Sequence, residues 1–284
     1  MSKAKVGKFI SYAILILWAI VVYFPVYWVV ISSFKLPIAV MQGATYIPFL
    51  DFEPSMENYR LLIEQAGQLN IVKHFLNSTI IASASSGIAT LLGAFAAYGL
   101  VRFSYKLGPI KNKQITSGFL VSRMVPPVTI VLAFLLMLKQ VNLVDTRIGM
   151  ILAYVTFNLP LAVWILRDAF ADVPFEIEEA ARIDGASRWQ SFWLVALPLV
   201  AGSFSAVFLM CFIFNWNEYL FALVLTFGDA GTVPILLAQS STSRGMNWGR
   251  MSSLAVWSII PSIIAGIVLE RFLRKGVLAG SIKG

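Results

Sequence analysis

Glu179-Ala180-Ala181-Arg182-Ile183-Asp184-Gly185-Ala186 stands in the one substantial polar stretch that interrupts a very hydrophobic second half of the chain. Its local chemistry predicts a helix, a glycine stop and a second helix. Pro174 suits a first helical turn, where its missing N–H costs nothing. Glu176, Glu178 and Glu179 put negative charge near that N-terminal end, where the macrodipole favours it. Gly185 is free to take the left-handed conformation that closes a helix. Ser187-Arg188-Trp189-Gln190 reads as a capping box. Trp189, Phe192, Trp193 and Ala196 follow at helical spacing, and Pro198 marks the break into another apolar run. The expectation over residues 168–197 is a short helical hairpin at a membrane surface. Its aromatic face would rest on the ends of membrane helices or on lipid headgroups. Two roles fit: an interfacial helix that merely connects two spans, or a docking element. In the second, small Ala180 and Ala181 let the acidic helix enter a groove on another protein.

The bulk numbers explain why a membrane enters the reading. Of 284 residues, 58% are hydrophobic and only 13% charged, with a mean hydropathy of +0.80. Soluble domains carry about 25% charged residues. The chain is therefore an integral membrane protein with no room for a large soluble domain. Its 22 Lys and Arg against 14 Asp and Glu give a net charge of +8. In this setting the excess reflects cationic loops on the cytoplasmic side rather than nucleic-acid binding. Cys211 is the single cysteine, so no intrachain disulfide forms, and His74 is the single histidine. A protein-built catalytic metal site is not expected.

Working outward along the chain, an uncharged run from Phe9 to Phe34 follows Lys3, Lys5 and Lys8. Helical, it reaches about 39 Å, enough to cross a roughly 30 Å core with tilt. It lacks the short apolar region and cleavage site of a signal peptide and is expected to be retained, kinked at Pro25. Residues 35–74 are polar, with a short helix expected around Glu57–Gln65. The second span, Phe75 to Val101, is rich in Ser, Ala and Gly, which suits close helix packing more than a substrate path. After the basic loop of Arg102, Lys106, Lys111 and Lys113 comes a third span near Ile115–Leu138. Arg123 inside it either snorkels, the favoured reading, or pairs internally. The fourth span covers Ile148–Leu166, with Asn158 and Pro160 inside. The fifth runs from about Pro198 to Thr226 and the sixth from Met251 to Leu269. The expected fold class is an all-α polytopic membrane protein with six transmembrane helices and a cytoplasmic coupling hairpin. Its parts are an N-terminal span with an extracytoplasmic segment (1–74), a core of five spans (75–270) and a cytoplasmic tail (271–284).

Six spans put both termini on one side. That side carries 14 Lys and Arg and the other 7, with Arg123 between them. The positive-inside rule places both termini and the hairpin in the cytoplasm. No Gly-x-x-x-x-Gly-Lys-Ser/Thr loop occurs, so any ATP-driven work needs a separate ATPase.

Glu179-Ala180-Ala181, then Asp184-Gly185-Ala186, then Leu197-Pro198 resembles the "EAA" loop of ABC importer permeases. In that family the loop is a coupling helix seated in a cleft of a cytoplasmic ATPase. The resemblance implies that Glu179, Ala180, Ala181, Asp184, Gly185 and Ala186 dock the ATPase. Trp216-Asn217-Glu218-Tyr219, Arg271-Phe272 and the terminal Lys283-Gly284 are similar to the carbohydrate branch, most of all its maltose-type second subunit. This implies a related permease as partner, two ATPase subunits that hold ATP and Mg, and an extracytoplasmic solute-binding protein. It further implies that residues 227–250 probe the binding protein's cleft and that the tail at Lys283 and Gly284 reaches the ATPase subunits. A bacterial or archaeal cytoplasmic membrane is the implied location. No cofactor is expected in this chain itself.

For the substrate, Asn215, Asn217, Glu218 and Tyr219 offer groups suited to sugar hydroxyls, and Trp216 a face for stacking. The favoured alternative is that this cluster packs against the partner permease or gates the path. Three rivals remain at this point: an ion-coupled transporter using Glu218 or Arg123, a membrane-embedded enzyme, and an ABC permease for amino acids or peptides.

Overall fold

A computed structural model describes residues 3–280 except 42, 44, 109, 243 and 244. In chain order come α1 (Lys3–Ser33), α2 (Pro37–Met41), α3 (Glu57–Glu64), α4 (Ile71–Arg102) and the ribbon β1 (Lys106–Leu107) with β2 (Ile110–Lys111). Next are α5 (Asn112–Arg123), α6 (Pro127–Gln140), α7 (Arg147–Ala171), α8 (Phe175–Ile183) and α9 (Arg188–Ser191). A π-helical stretch (Phe192–Ala196) then leads into α10 (Leu197–Leu199), α11 (Ala201–Trp216), α12 (Leu220–Leu225) and α13 (Val233–Ala238). The ribbon β3 (Ser241–Thr242) with β4 (Gly245–Met246) precedes α14 (Trp248–Gly280). Both ribbons are antiparallel pairs of two-residue strands, so the fold is all-α. The chain packs as two units, residues 1–71 with 236–260 and residues 72–235 with 261–284.

Against six expected spans, four helices are long and apolar enough to cross a membrane, or up to six if each of two bent pairs is one span, and the second pair covers 188–216 rather than the 198–226 expected for the fifth span. The four lie within α1, α4, α7 and α14. In the bent pairs, α5 and α6 meet at 92°, and residues 188–199 meet α11 at 77°. The first bend departs from the straight third span expected over 115–138. Pro126 and Pro127 cause it, because each lacks an N–H and the residue before a proline is pushed out of the helical region. Pro126 sits extended before α6, at φ −58° and ψ 129°. The second bend falls at Val200 rather than at Pro198. The widened π turn ahead of Pro198 makes room for its ring, so the helix carries on through Leu199. Pro174 is likewise shifted by one position: it precedes α8 as its N-cap, with φ −56° and ψ 133°. Pro25 lies within α1, which continues through it.

In the first unit, α1 presents apolar side chains on all sides, as a lipid-facing helix does. Its end is tied down by Lys35, buried with Nζ 2.5 Å from the Thr45 carbonyl and 4.1 Å above the Trp28 ring. Asn58 of α3, the short helix expected around Glu57–Gln65, donates to the carbonyls of Ser33 and Lys35 at 2.9 and 2.8 Å. It fills the space over Gly249, where a Cβ would collide with its amide.

The second unit is built on α4, α7 and α11. Lipid gives no hydrophobic drive for helix association, so close packing and hydrogen bonds carry it. Gly93 makes the α4–α7 crossing possible: a Cβ there would fall 2.6 Å from that of Ala162. One apolar cluster gathers Ala94, Ala97, Leu166, Phe170, Phe192, Ala196 and Cys211. A second gathers Ile81, Val131, Met150, Tyr154, Phe221 and Leu225.

Gly93→Ala should destabilise the protein by about 1–3 kcal/mol, since α4 and α7 must separate. At Gly87 a Cβ would meet only Phe208 at 3.9 Å, so Gly87→Ala should gain up to about 1 kcal/mol of helix propensity. Unfolding midpoints in one detergent test this, and equal shifts for the two variants would contradict it.

Candidate functional site

The predicted hairpin forms with its punctuation in place. Gly185 has φ +95°. The Gly185 N–H donates to the Arg182 carbonyl at 3.1 Å, and the Ala186 N–H to that of Ala181 at 3.0 Å. These two bonds are the Schellman closure of a helix on a left-handed residue. Ser187 then opens α9: its Oγ accepts from the Gln190 N–H at 3.2 Å, and the Gln190 side chain accepts from the Ser187 N–H at 2.8 Å.

The aromatic half rests on membrane helices. The rings of Phe192 and Phe95 lie 5.1 Å apart and those of Phe192 and Tyr98 5.0 Å, while Trp189 stacks on Phe95 at 5.6 Å. Phe192 also faces Phe170 of α7. Such offset and edge-on pairs add about 0.5–1.5 kcal/mol each beyond the area they bury.

What fixes the acidic half was not foreseen. Glu178 is buried at 3% exposure. Its Oε1 lies 2.7 Å from Nε of Arg102, the last residue of α4, and its Oε2 accepts from the Tyr98 hydroxyl at 2.7 Å. Arg102 also donates to the Val173 carbonyl at 2.9 Å and lies over the Phe175 ring. In sequence, Glu178 reads as a complement to the helix dipole and Arg102 as part of a basic loop. The available signal was the three-residue spacing that puts Phe175, Glu178 and Ala181 on one side of α8, where Glu178 is buried, Ala181 half-buried and Phe175 exposed.

The opposite edge is open. Glu179, Ala180, Asp184 and Gly185 are exposed, Ala181 and Ala186 are half-buried, and Ile183 is 86% exposed. Glu179, Arg182, Ile183 and Ala186 line an open depression of about 450 Å³. The expected docking residues thus share one surface, with Ala181 and Ala186 only half exposed on it.

The second expected cluster does not stay together. Asn215 is buried and donates to Ser85 and Ser86 of α4, each at 2.9 Å, while accepting from Asn158 of α7 at 2.6 Å. Trp216 is buried against Phe75 and Phe212. The Glu218 carboxylate accepts from the Tyr154 hydroxyl and the Phe221 N–H at 3.0 Å and caps α12. Asn217, bonded to the Ile213 carbonyl and Ser262, and Tyr219 are the two that remain exposed. Arg123 donates to the Phe157 carbonyl at 3.1 Å and lies over the rings of Phe157 and Phe214. These contacts give its guanidinium partners inside the unit.

The segment starting at 227 is anchored by Asp145. Its carboxylate accepts from the N–H groups of Asp229, at 3.0 and 3.1 Å, and Ala230, at 2.9 Å. Partial burial pulls this carboxyl upward. The N–H groups of Ala230, Asp229, Phe227 and Gly228 outweigh that and hold it below the ordinary carboxylate range. Asn77 adds bonds to the carbonyls of Asp229 and Gly231, both at 2.9 Å. The terminal Lys283 and Gly284 lie outside the described residues.

Residues 89–277 match the family model for the binding-protein-dependent transport system inner membrane component. The chain belongs to this family. It is 31% identical to the trehalose/maltose transport system permease protein MalG of Thermococcus litoralis, over 95% of this chain and 94% of that one. It is 30% identical to the inner membrane ABC transporter permease protein YcjP of Escherichia coli, over 100% and 99%. Among solved structures, a bacterial ABC transporter involved in import of the acidic polysaccharide alginate aligns over 95% of this chain and 98% of that one. Its TM-score is 0.76 at 20% identity. The permease is thus a multi-pass inner-membrane protein.

Glu178→Gln should release α8 from α4. Removing one partner of a buried pair costs about 3–5 kcal/mol. Amides 175–186 should then exchange faster with deuterium, and the apolar double variant Glu178→Leu with Arg102→Met should restore protection. For Asp145 the folded pKa is depressed. Its stabilisation is therefore complete above the unfolded value of about 3.9 and is lost as pH falls through the lowered native value. Wild-type and Asp145→Asn unfolding midpoints should differ at neutral pH and converge in acid.

Proposed function

We propose that this chain is the membrane-spanning subunit of an ATP-driven, binding-protein-dependent importer for a sugar or polyol. The observation that carries the proposal is the geometry of α8. One edge is locked to the end of α4 by Glu178 and Arg102, and the other offers Glu179, Ala180, Ile183 and Asp184 to a partner. A helix free on both edges would serve only as a connector. One that is pinned on one edge and open on the other transmits a push.

In this reading two separate ATPase subunits bind ATP and Mg and close. A cleft on one of them carries α8 with it, and α4, α7 and α11 reorient around the path. A second, homologous permease completes that path. An extracytoplasmic binding protein delivers solute to the face bearing residues 227–250, and both termini lie in the cytoplasm. The sugar assignment is supported by the relative whose name gives trehalose and maltose. Asn217 and Tyr219 are the exposed members of the polar cluster and the candidates for contact with solute or with the partner permease. The chain's own work is binding and motion, with no covalent step. Glu218 is committed to capping α12, and this weighs against ion coupling through it.

The test is reconstitution with the ATPase, the partner permease and the binding protein. ATP hydrolysis should rise when the binding protein carries its sugar. Gly185→Val should lower uptake at least about tenfold while the protein still inserts, because φ +95° excludes a β-branched side chain. Uptake that follows an ion gradient and ignores ATP depletion would sink the proposal.

A further inference from the structure

Between Glu64 and Asp145 the sequence carries no Asp or Glu. The cations of this interval concentrate where α4 leaves the apolar layer. There the chain folds into the β1–β2 ribbon and turns into α5. Arg102 is neutralised by Glu178. Among the described residues, no carboxylate pairs with Lys106, Lys111 or Lys113. The register makes this costly, since Lys106 stands directly across the ribbon from Lys111. Like charges directly opposite on neighbouring strands destabilise the pair.

The segments that flank the ribbon are held by hydrogen bonds. Asn112 accepts from the Tyr105 N–H at 2.8 Å and donates to the carbonyls of Leu100 and Phe103 at 2.6 and 2.5 Å. The Tyr105 hydroxyl lies over Gly99 of α4, 3.0 Å from where a Cβ would stand. Together these elements enclose an open-sided groove of about 470 Å³, whose wall includes Lys106, Lys111, Lys113, Ser104 and Asn112. Exposed Tyr105 and Ile110 sit beside it. Three unpaired ammonium groups, hydroxyl and amide donors, and apolar flanks at a span's end match one kind of ligand.

We infer that this groove binds the phosphodiester headgroup of an anionic membrane lipid. Its acyl chains would run along α4, and its phosphate would relieve the repulsion between Lys106 and Lys111. Basic pockets at the ends of membrane helices recognise such headgroups through charge and hydrogen bonding. The inference does not depend on which solute is carried or on which side of the membrane the hairpin lies.

The full chain, purified with its partner proteins in detergent, is titrated with dihexanoyl-phosphatidylglycerol, and separately with dihexanoyl-phosphatidylcholine, inorganic phosphate and glycerol 3-phosphate. Native mass spectrometry counts bound lipid and thermophoresis gives affinities. Phosphatidylglycerol should bind, and K106Q/K111Q/K113Q should weaken it at least about tenfold, since each cation near a lipid surface contributes severalfold. The single variants Lys106→Gln and Lys113→Gln should each weaken it severalfold and keep the assignment testable if the triple variant fails to fold. Lys139→Gln, outside this groove, should leave binding unchanged. Equal binding of phosphatidylcholine, or undiminished binding by the Lys106 and Lys113 variants, would overturn the inference. Inorganic phosphate or glycerol 3-phosphate binding as tightly as the lipid would also overturn it, in favour of a soluble phosphate compound.

Discussion

A carboxylate and a guanidinium removed from water together set the frame for this permease. Burying an ion pair adds little to net stability, because desolvation offsets the attraction. It adds direction instead. Glu178 needs Arg102 and Tyr98 to satisfy both carboxylate oxygens, and Arg102 also takes the Val173 carbonyl just before α8 begins. No small rotation of α8 about its own axis preserves those bonds. Helix α8 is therefore an extension of α4 in mechanical terms, although 71 residues lie between Arg102 and Pro174 in sequence.

The same economy of polar contacts orders the membrane-embedded part of the second unit. Ser85, Ser86, Asn158 and Asn215 form a hydrogen-bonded layer where α4, α7 and α11 meet. One apolar cluster, with Phe170 and Phe192, involves later residues of α4 and α7. The other, with Tyr154 and Phe221, involves earlier ones. Apolar helices in lipid slide past one another at little cost, whereas a buried amide bonded to two neighbouring helices registers all three. Small residues such as Gly93 then set how near the helices come.

Much of this was legible in the chain because it is local. The helix stop at Gly185, the Ser187–Gln190 box and the apolar lengths of α1, α4 and α7 follow from residues that act on their immediate neighbours. Glu178 was obscured because its partner lies on another helix, and a first-turn acid already has an adequate local explanation. Polarity in an apolar run makes Asn215 and Glu218 readable as ligand groups or, as favoured, as contacts to a partner permease or parts of a gate. Their hydrogen bonds to α4, α7 and α12 show polarity used for construction. The bend between α5 and α6 was written in Pro126-Pro127, but hydropathy carries no direction and so gives no angle.

At Gly185, no atom lies within 4 Å of where a Cβ would be. The position has room for a side chain and yet a backbone that L-residues rarely adopt. What glycine supplies there is handedness rather than space. A residue of the opposite chirality, such as D-alanine, has the handedness that this turn asks for, and would stiffen the hairpin by removing the other backbone states that glycine keeps available.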